Sequence, residues 1–483
     1  MGNWMTIRMC AVLGVGGALA WGCGGDDATG ASSTSTSAGS GGAPATSSAS
    51  STGATGGGGM GGGCNPAEDC PKTESACQIP TCEAMGECGV SLAPMGTQCA
   101  DHFGKVCDAQ GSCLGCLSGA DCLSATCSSG SCAPLMLSFA IATTKHPNGA
   151  LRGVVIGDVN GDAKADVAAA SQNGGLAVVW LGNGDGSLQM YQDFSVGAGP
   201  YNLAMGDLNG DSKPDLVVEN LQDGNLSVLL GNGDGTFQMK QLLNIIAGFG
   251  TISLADLNGD TKLDLVIAAT QGYVIVALGK GDGSFQKEQN VAAGGYTNGA
   301  AVGDVDSDGK PDLVAANGGD NTVSVLLGNG DGSFKPQQVF AVGQHPFTVV
   351  VEDFNGDAKP DIAVTNQFDM AVGVLLGNGD GSFQMQKVFS VGDTPTSILA
   401  ADFDGDNKPD LAVVNRHPLV GDIGTVSVLH GNGDGTFAAQ EVFTVGHFAF
   451  GAATGDLDGN GLPDLVVTNF DDNTLSVLIN TSQ

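Results

Sequence analysis

The sequence predicts an all-β fold: a seven-bladed β-propeller with four-stranded blades and N-/C-terminal strand exchange closing the ring, preceded by a small disulfide-rich module. Three observations carry this. A nine-residue acidic pattern, Asp-x-(Asn/Asp)-(Gly/Ser)-(Asp/Asn)-x-x-x-Asp, recurs seven times, with first aspartates 49, 49, 48, 49, 49 and 54 residues apart. Between copies lie short apolar, β-branched runs and Gly-rich turns, with no room for a helix. The last copy lacks an outer strand, and the residues ahead of the first copy supply one.

The elements follow in chain order. Arg8 precedes an apolar stretch from Met9 to Ala20, short of the roughly 18–20 residues that span a bilayer. Residues 1–23 are therefore expected to be an export signal. Ala18-Leu19-Ala20 has the small-x-small form of ordinary cleavage, while Leu19-Ala20-Trp21-Gly22-Cys23 resembles a bacterial lipobox that would lipidate Cys23. Residues 24–63 are mostly Ser, Thr, Ala and Gly; with almost nothing to bury they read as a flexible tether. Residues 64–132 hold twelve of the fourteen cysteines, an even count that in an exported chain predicts a disulfide framework, its pairing left open. Zinc or redox chemistry is the weaker reading there: Cys113-Leu114-Gly115-Cys116 alone has C-x-x-C spacing, with His102 as the one nearby histidine. The expected location is the bacterial outer membrane or cell surface as a lipoprotein, or the medium as a secreted protein.

Residues 137–483 are the expected propeller. After each acidic pattern comes an apolar run such as Leu216-Val217-Val218, then an interrupted one such as Val323-Ser324-Val325-Leu326-Leu327. Six copies reach Gly-(Asn/Lys)-Gly-Asp-Gly, as at 231–235, whose Asn-Gly and Asp-Gly supply the positive φ of a two-residue hairpin turn. The outer strand is expected to open at Leu188, Phe237, Phe285, Phe334, Phe383 and Phe437. The seventh copy stops after its third strand at Ile479. Phe139 lies 19 residues before Asp158, as Phe437 lies 19 before Asp456. Residues 138–144 are therefore assigned as the outer strand of the last blade, which removes the exposed edges of an open ring.

The acidic loops are the candidate metal sites. A tight curl turns the side chains at positions 1, 3, 5 and 9 inward and offers the carbonyl of position 7, an all-oxygen set suited to Ca²⁺. The candidates are Asp158, Asn160, Asp162, Lys164 and Asp166; Asp207, Asn209, Asp211, Lys213 and Asp215; Asp256, Asn258, Asp260, Lys262 and Asp264. They continue with Asp304, Asp306, Asp308, Lys310 and Asp312; Asp353, Asn355, Asp357, Lys359 and Asp361; Asp402, Asp404, Asp406, Lys408 and Asp410; and Asp456, Asp458, Asn460, Leu462 and Asp464. Each lysine is expected to lend its backbone oxygen and turn its ammonium to water. Three or four carboxylates in one curl repel unless a cation neutralises them. Up to seven Ca²⁺ are expected, which would take the formal charge from −34 to −20. The strict octahedron of Mg²⁺ suits fewer protein ligands, and no Glu stands at position 12 to make an EF-hand.

These repeats resemble the FG-GAP/VCBS family, also found in integrin α subunits, over residues 137–483. The resemblance implies a propeller with calcium in the loops joining the first two strands of each blade, in proteins of adhesion, surface binding or extracellular scaffolding.

The opposite face is expected to hold the ligand-recognising groups: Tyr201, Phe249, Tyr296, His345, Phe347, His447 and Phe448, a mix of rings and polar groups suited to sugar or peptide. The marked insertion, around Asn415-Arg416-His417-Pro418, falls on the same face. A net charge of −34 excludes the basic footprint of a nucleic-acid binder. No Gly-x-Ser-x-Gly, His-Glu-x-x-His or phosphate loop is present. The expectation is a monomeric, non-enzymatic, calcium-binding surface or adhesion protein. Its partner would be an extracellular protein or glycan, with membrane contact only through a lipidated Cys23. Lectin-like carbohydrate binding is the sharper alternative; a polysaccharide-degrading enzyme is the weaker one.

Overall fold

The computed structural model describes residues 137–482, except 147–148, 246–249 and 418–420, together with six short strands between residues 78 and 132. The export signal, Cys23, the tether and Phe249 lie outside the described residues, as do the side chains of the Cys-rich segment. Its short strands form three antiparallel pairs: Gln78–Cys82 with Cys88–Leu92, Val106–Cys107 with Cys113–Leu114, and Cys127–Ser128 with Ser131–Cys132.

The repeats fold into seven four-stranded antiparallel sheets, and no helix occurs among the described residues. Blade 1 runs through Leu151–Gly157, Asp166–Ser171, Leu176–Trp180 and Gln192–Ser195. Blades 2 to 6 repeat that order from Pro200, Ile252, Thr297, Pro346 and Pro395. Blade 7 has Ala449–Gly455, Asp464–Asn469 and Thr474–Asn480. Its fourth strand is Phe139–Lys145, with Thr474 opposite Lys145 and Asn480 opposite Phe139. The expected strand exchange closes the ring.

Burial grades outward along each blade. The second strands are buried at all six positions, as in Asp215–Asn220, and so read as continuous apolar runs. The fourth strands alternate half-buried and exposed residues, as in Lys387–Ser390, because only one face meets the neighbouring blade. The cores lie between blades: one joins Leu151, Val154 and Trp180 of blade 1 to Ala453, Leu457 and Val466 of blade 7. Polar groups near the axis are bonded across blades, Thr468 Oγ1 to the Arg152 carbonyl at 2.6 Å and Asn298 Nδ2 to the Pro346 carbonyl at 2.9 Å.

Two local expectations are corrected. The Gly-rich hairpin is longer than a two-residue turn. Gly231 bridges to Phe237, Asn232 N–H donates to the Thr236 carbonyl, and Asp234 accepts from the Thr236 amide and hydroxyl. Gly231 is required by crowding as well: a Cβ there would lie 2.2 Å from the Pro214 carbonyl oxygen. The outer strand also opens later than Phe237, at Gln241–Leu243. The phenylalanine is a plug, its ring edge-on to Phe194 of the preceding blade at 5.1 Å. Phe383 and Phe437 repeat the arrangement against Phe340 and Phe389.

Candidate metal centres and the opposite face

Each acidic loop joins the first strand of its blade to the second, and its curl is set by two left-handed residues. At position 4 stand Gly161, Gly210, Gly259, Ser307, Gly356, Gly405 and Gly459; at position 6 stand Ala163, Ser212, Thr261, Gly309, Ala358, Asn407 and Gly461. A left-handed non-glycine costs roughly 1–2 kcal/mol, so five such residues at position 6 mark a conformation held by the loop's other bonds. The first aspartate provides them. Asp158 Oδ1 accepts from the amides of Asn160, Gly161 and Asp162, and Oδ2 from that of Ala163. Asp207, Asp256 and Asp353 repeat all four bonds.

The ninth aspartate is anchored differently. It is fully buried in all seven loops. One oxygen of Asp166 accepts from Val159 N–H at 2.9 Å and the other from Gly182 N–H at 2.7 Å, tying the loop to the hairpin. Asp215, Asp264, Asp312, Asp361 and Asp410 make the same pair of bonds. Asp464 does so with Leu457 and with Asn480, which stands where the other blades have glycine. Burial pushes the carboxyls of Asp312, Asp361 and Asp464 up to about 6 against the pull of these amides.

The remaining acids converge. Oxygens of Asp304, Asp306 and Asp308 lie within 4.8 Å of one another, as do those of Asp402, Asp404 and Asp406 and those of Asp456, Asp458 and Asp464. The lysines do not simply turn to water. Lys164, Lys213, Lys262, Lys310 and Lys359 stand 3.8, 3.7, 3.5, 2.7 and 3.5 Å from the carboxylate at position 5, and Lys408 pairs with Asp406 in the same way. Part of the loop charge is therefore neutralised internally. The contacts are half-exposed and individually weak. Blade 7, with Leu462 and Asn460, has no such pair.

Blade 6 departs from the pattern through His430, which occupies a position held by Leu181, Leu230, Leu278, Leu327 and Leu376 elsewhere. In blades 1 to 5 that leucine lies against the Gly-rich hairpin of the next blade, as Leu181 does against Gly235. Blade 7 has no such hairpin, so the space admits an imidazole. His430 Nδ1 is 3.1 Å from Asp404 and 3.7 Å from Asp410, and these carboxylates raise it to about 10.

The opposite face is built from the loops between second and third strands and those entering each first strand. Asn and Asp side chains hold it together: Asn220 Oδ1 accepts from Gly197 N–H, and Asp223 from Ala198 N–H. Asn317 with Asp320 and Asn469 with Asp472 repeat the arrangement. Of the predicted ligand-face residues, Tyr201 and Phe347 are fully buried with Phe450 and fill the axis. Tyr201 meets Phe450 edge-on at 5.9 Å. Tyr296, His345 and Phe448 sit just before their first strands with φ of 54°, 55° and 53°, an uncommon conformation for bulky residues. Tyr296 is exposed, and His345 packs at 4.5 Å, tilted by 35°, against the exposed ring of Phe368. His447 Nδ1 lies 3.0 Å from the Asp472 carboxylate.

Sequence reasoning missed Arg152, Phe368, Phe450 and Phe470, and took Arg416 only as part of an insertion. The Arg152 guanidinium lies 4.0 Å over the Phe450 ring and 4.1 Å over Phe470. The signal was in the repeat: six residues before the first aspartates stand Arg152, Tyr201, Gly250, Asn298, Phe347, Thr396 and Phe450. Those columns ring the axis.

Fold and loops together define an acidic-loop β-propeller. The chain belongs to the FG-GAP-like repeat family, whose profile matches residues 150–218, 256–315, 304–364, 353–413 and 419–467, more than half of its length. No curated protein sequence matches it. Two solved structures of BBS1N in complex with ARL6DN, one soaked with lead and one with mercury, are similar in fold: each has a TM-score of 0.49, 13% identity, and covers 71% of this chain and 96% of the other.

Proposed function

We propose that this chain is an exported, non-enzymatic surface module whose propeller is stabilised by calcium and whose opposite face binds an extracellular partner. The carrying observation is the sevenfold recurrence of one curled loop, kept left-handed at position 6 even where the residue is Ala, Ser, Thr or Asn. The donor set fits a hard cation: side chains at positions 1, 3, 5 and 9 offer only oxygen, and in three loops the carboxylates already lie within 4.8 Å of one another. Bound calcium would supply charge neutralisation and cross-linking within each loop. The residues that would hold it are those at positions 1, 3, 5 and 9, with the backbone of position 7. The histidines support a non-catalytic reading by their scatter: His146 meets Asp193 of blade 1, His430 meets Asp404 of blade 6 and His447 meets Asp472 of blade 7. The lectin-like reading draws support from the exposed rings of Tyr296 and Phe368 on one face.

The test is thermal unfolding of the mature chain with calcium and with excess chelator. A ligand at about 100 times its Kd stabilises by about 2.7 kcal/mol per site, so several sites together shift Tm by many degrees. Coincident melting curves would count against the metal assignment.

A further inference from the structure

Residues 137–483 contain just two arginines, Arg152 in blade 1 and Arg416 in blade 6, and both come to the axis on the face away from the acidic loops. Each is only 6% exposed. Their flat faces are covered, Arg152 by Phe450 and Phe470 and Arg416 by Phe448, whose ring lies 4.9 Å from its guanidinium carbon. Their edges are buried too, but not fully paired. Arg152 Nε donates to Gln172 Oε1 at 2.7 Å, but Nη1 of Arg152 and both Nε and Nη1 of Arg416 have no hydrogen-bond partner among the described residues. Neither arginine has an ion pair among the described residues. Asp471, whose charge favours that of Arg152, instead accepts from Gly421 N–H.

The two buried guanidiniums repel each other. Desolvation, with Arg416 adding to it, lowers Arg152 to about 10, so it remains charged at neutral pH. Rings stacked on a guanidinium leave its in-plane N–H groups as the ones still in need of a partner, and a planar carboxylate meets those groups edge-on with two parallel bonds. A cleft of about 340 Å³ lies on the same face between blades 1 and 2, lined by Gln172, Asn173, Ala198 and Gln222 among others. Its wall residue Gln172 is the one bonded to Arg152. That volume is at the lower end of small-molecule pockets.

We propose that the axial mouth opposite the acidic loops is a binding site for a small carboxylate ligand, held by the edges of Arg152 and Arg416 with its body in the adjoining cleft. A single carboxylate fits better than a dianion, because a chain of net charge −34 repels the second charge. The carboxylate has two chemical sources, an acidic sugar or a simple organic acid. The proposal deepens the surface-binding reading by naming a ligand class, and it uses none of the calcium loops.

The experiment is isothermal titration of the mature, calcium-loaded chain with glucuronate, acetate and inorganic phosphate. Glucuronate and acetate are expected to bind and to exclude each other. Glucuronate tighter by about tenfold identifies a sugar acid; equal affinity identifies a simple acid. Arg416→Gln is expected to weaken both by about tenfold or more, with Arg416→Lys recovering only part because it lacks the fork. Arg152→Gln also opens the aromatic cage and risks the fold, so Arg416 carries the test, with calcium content and far-UV circular dichroism checking that the ring is intact. No heat from either carboxylate at about 10 mM, phosphate binding tighter than both, or unchanged affinity in Arg416→Gln would overturn the proposal. Unchanged calcium content in that case leaves the metal reading standing.

Discussion

The two faces of the ring are built by opposite rules. On the acidic-loop face every blade has a first aspartate gathering the curl, through four amides in blades 1, 2, 3 and 5 and fewer in the rest, and a ninth holding two amides. On the other face the frame repeats through Asn220, Asn317 and Asn469, but what it displays changes from blade to blade. Arg152, Tyr201, Asn298, Phe347 and Phe450 share one column of the repeat but differ in charge, polarity and size. Uniformity around a ring serves a task each blade performs alone, such as holding an ion. Variation serves a task performed once, at the axis.

That contrast can be broken by substitution. The largest effect should come from the varied face. Phe347→Ala removes a fully buried axial ring and should cost about 3–5 kcal/mol in urea unfolding, without changing calcium per folded molecule. Next is the ninth aspartate. Asp361→Ala strands the amides of Phe354 and Gly377 at about 1–3 kcal/mol each and should also remove an ion. Asp306→Ala with Asp308→Ala should lose one ion and keep the ring folded, which would separate ligand from anchor. A double variant that unfolds would erase the distinction drawn between positions 5 and 9.

The smallest effect concerns Glu219, wholly buried in the second strand of blade 2, whose carboxyl is pushed well above its usual range by desolvation. The folded state therefore holds its proton where the unfolded chain has released it. Stability falls as pH rises above the unfolded value near 4.5 and continues to fall until the folded group ionises. Glu219→Gln should raise Tm at pH 8 more than at pH 5, and give no pH-dependent gain below about pH 4. A gain independent of pH would mean that Glu219 is not the titrating group.

Most of the fold was legible because the repeat is long and its punctuation is chemical. Spacing between aspartates gave the blade count, and the 19-residue interval from Phe139 to Asp158 gave the closing strand. The candidate ions' side chains were legible for the same reason. The lysine pairs were not, since sequence places Lys310 two residues from Asp308 without saying that its ammonium folds back to 2.7 Å. Nor was the fate of each ring. Tyr296 stands two positions earlier in its repeat than Tyr201 does, which separates an exposed loop residue from a buried axial one. His430 shows a third limit: what it packs against depends on a hairpin missing from the next blade, a fact about neighbours in space.

The central claim is that the seven loops hold calcium. The direct measurement is metal content of the purified mature chain by mass spectrometry, after equilibration in millimolar calcium and removal of free ion. The account predicts calcium close to seven per chain, falling by one in the Asp306→Ala, Asp308→Ala variant. A folded chain carrying no calcium would contradict it.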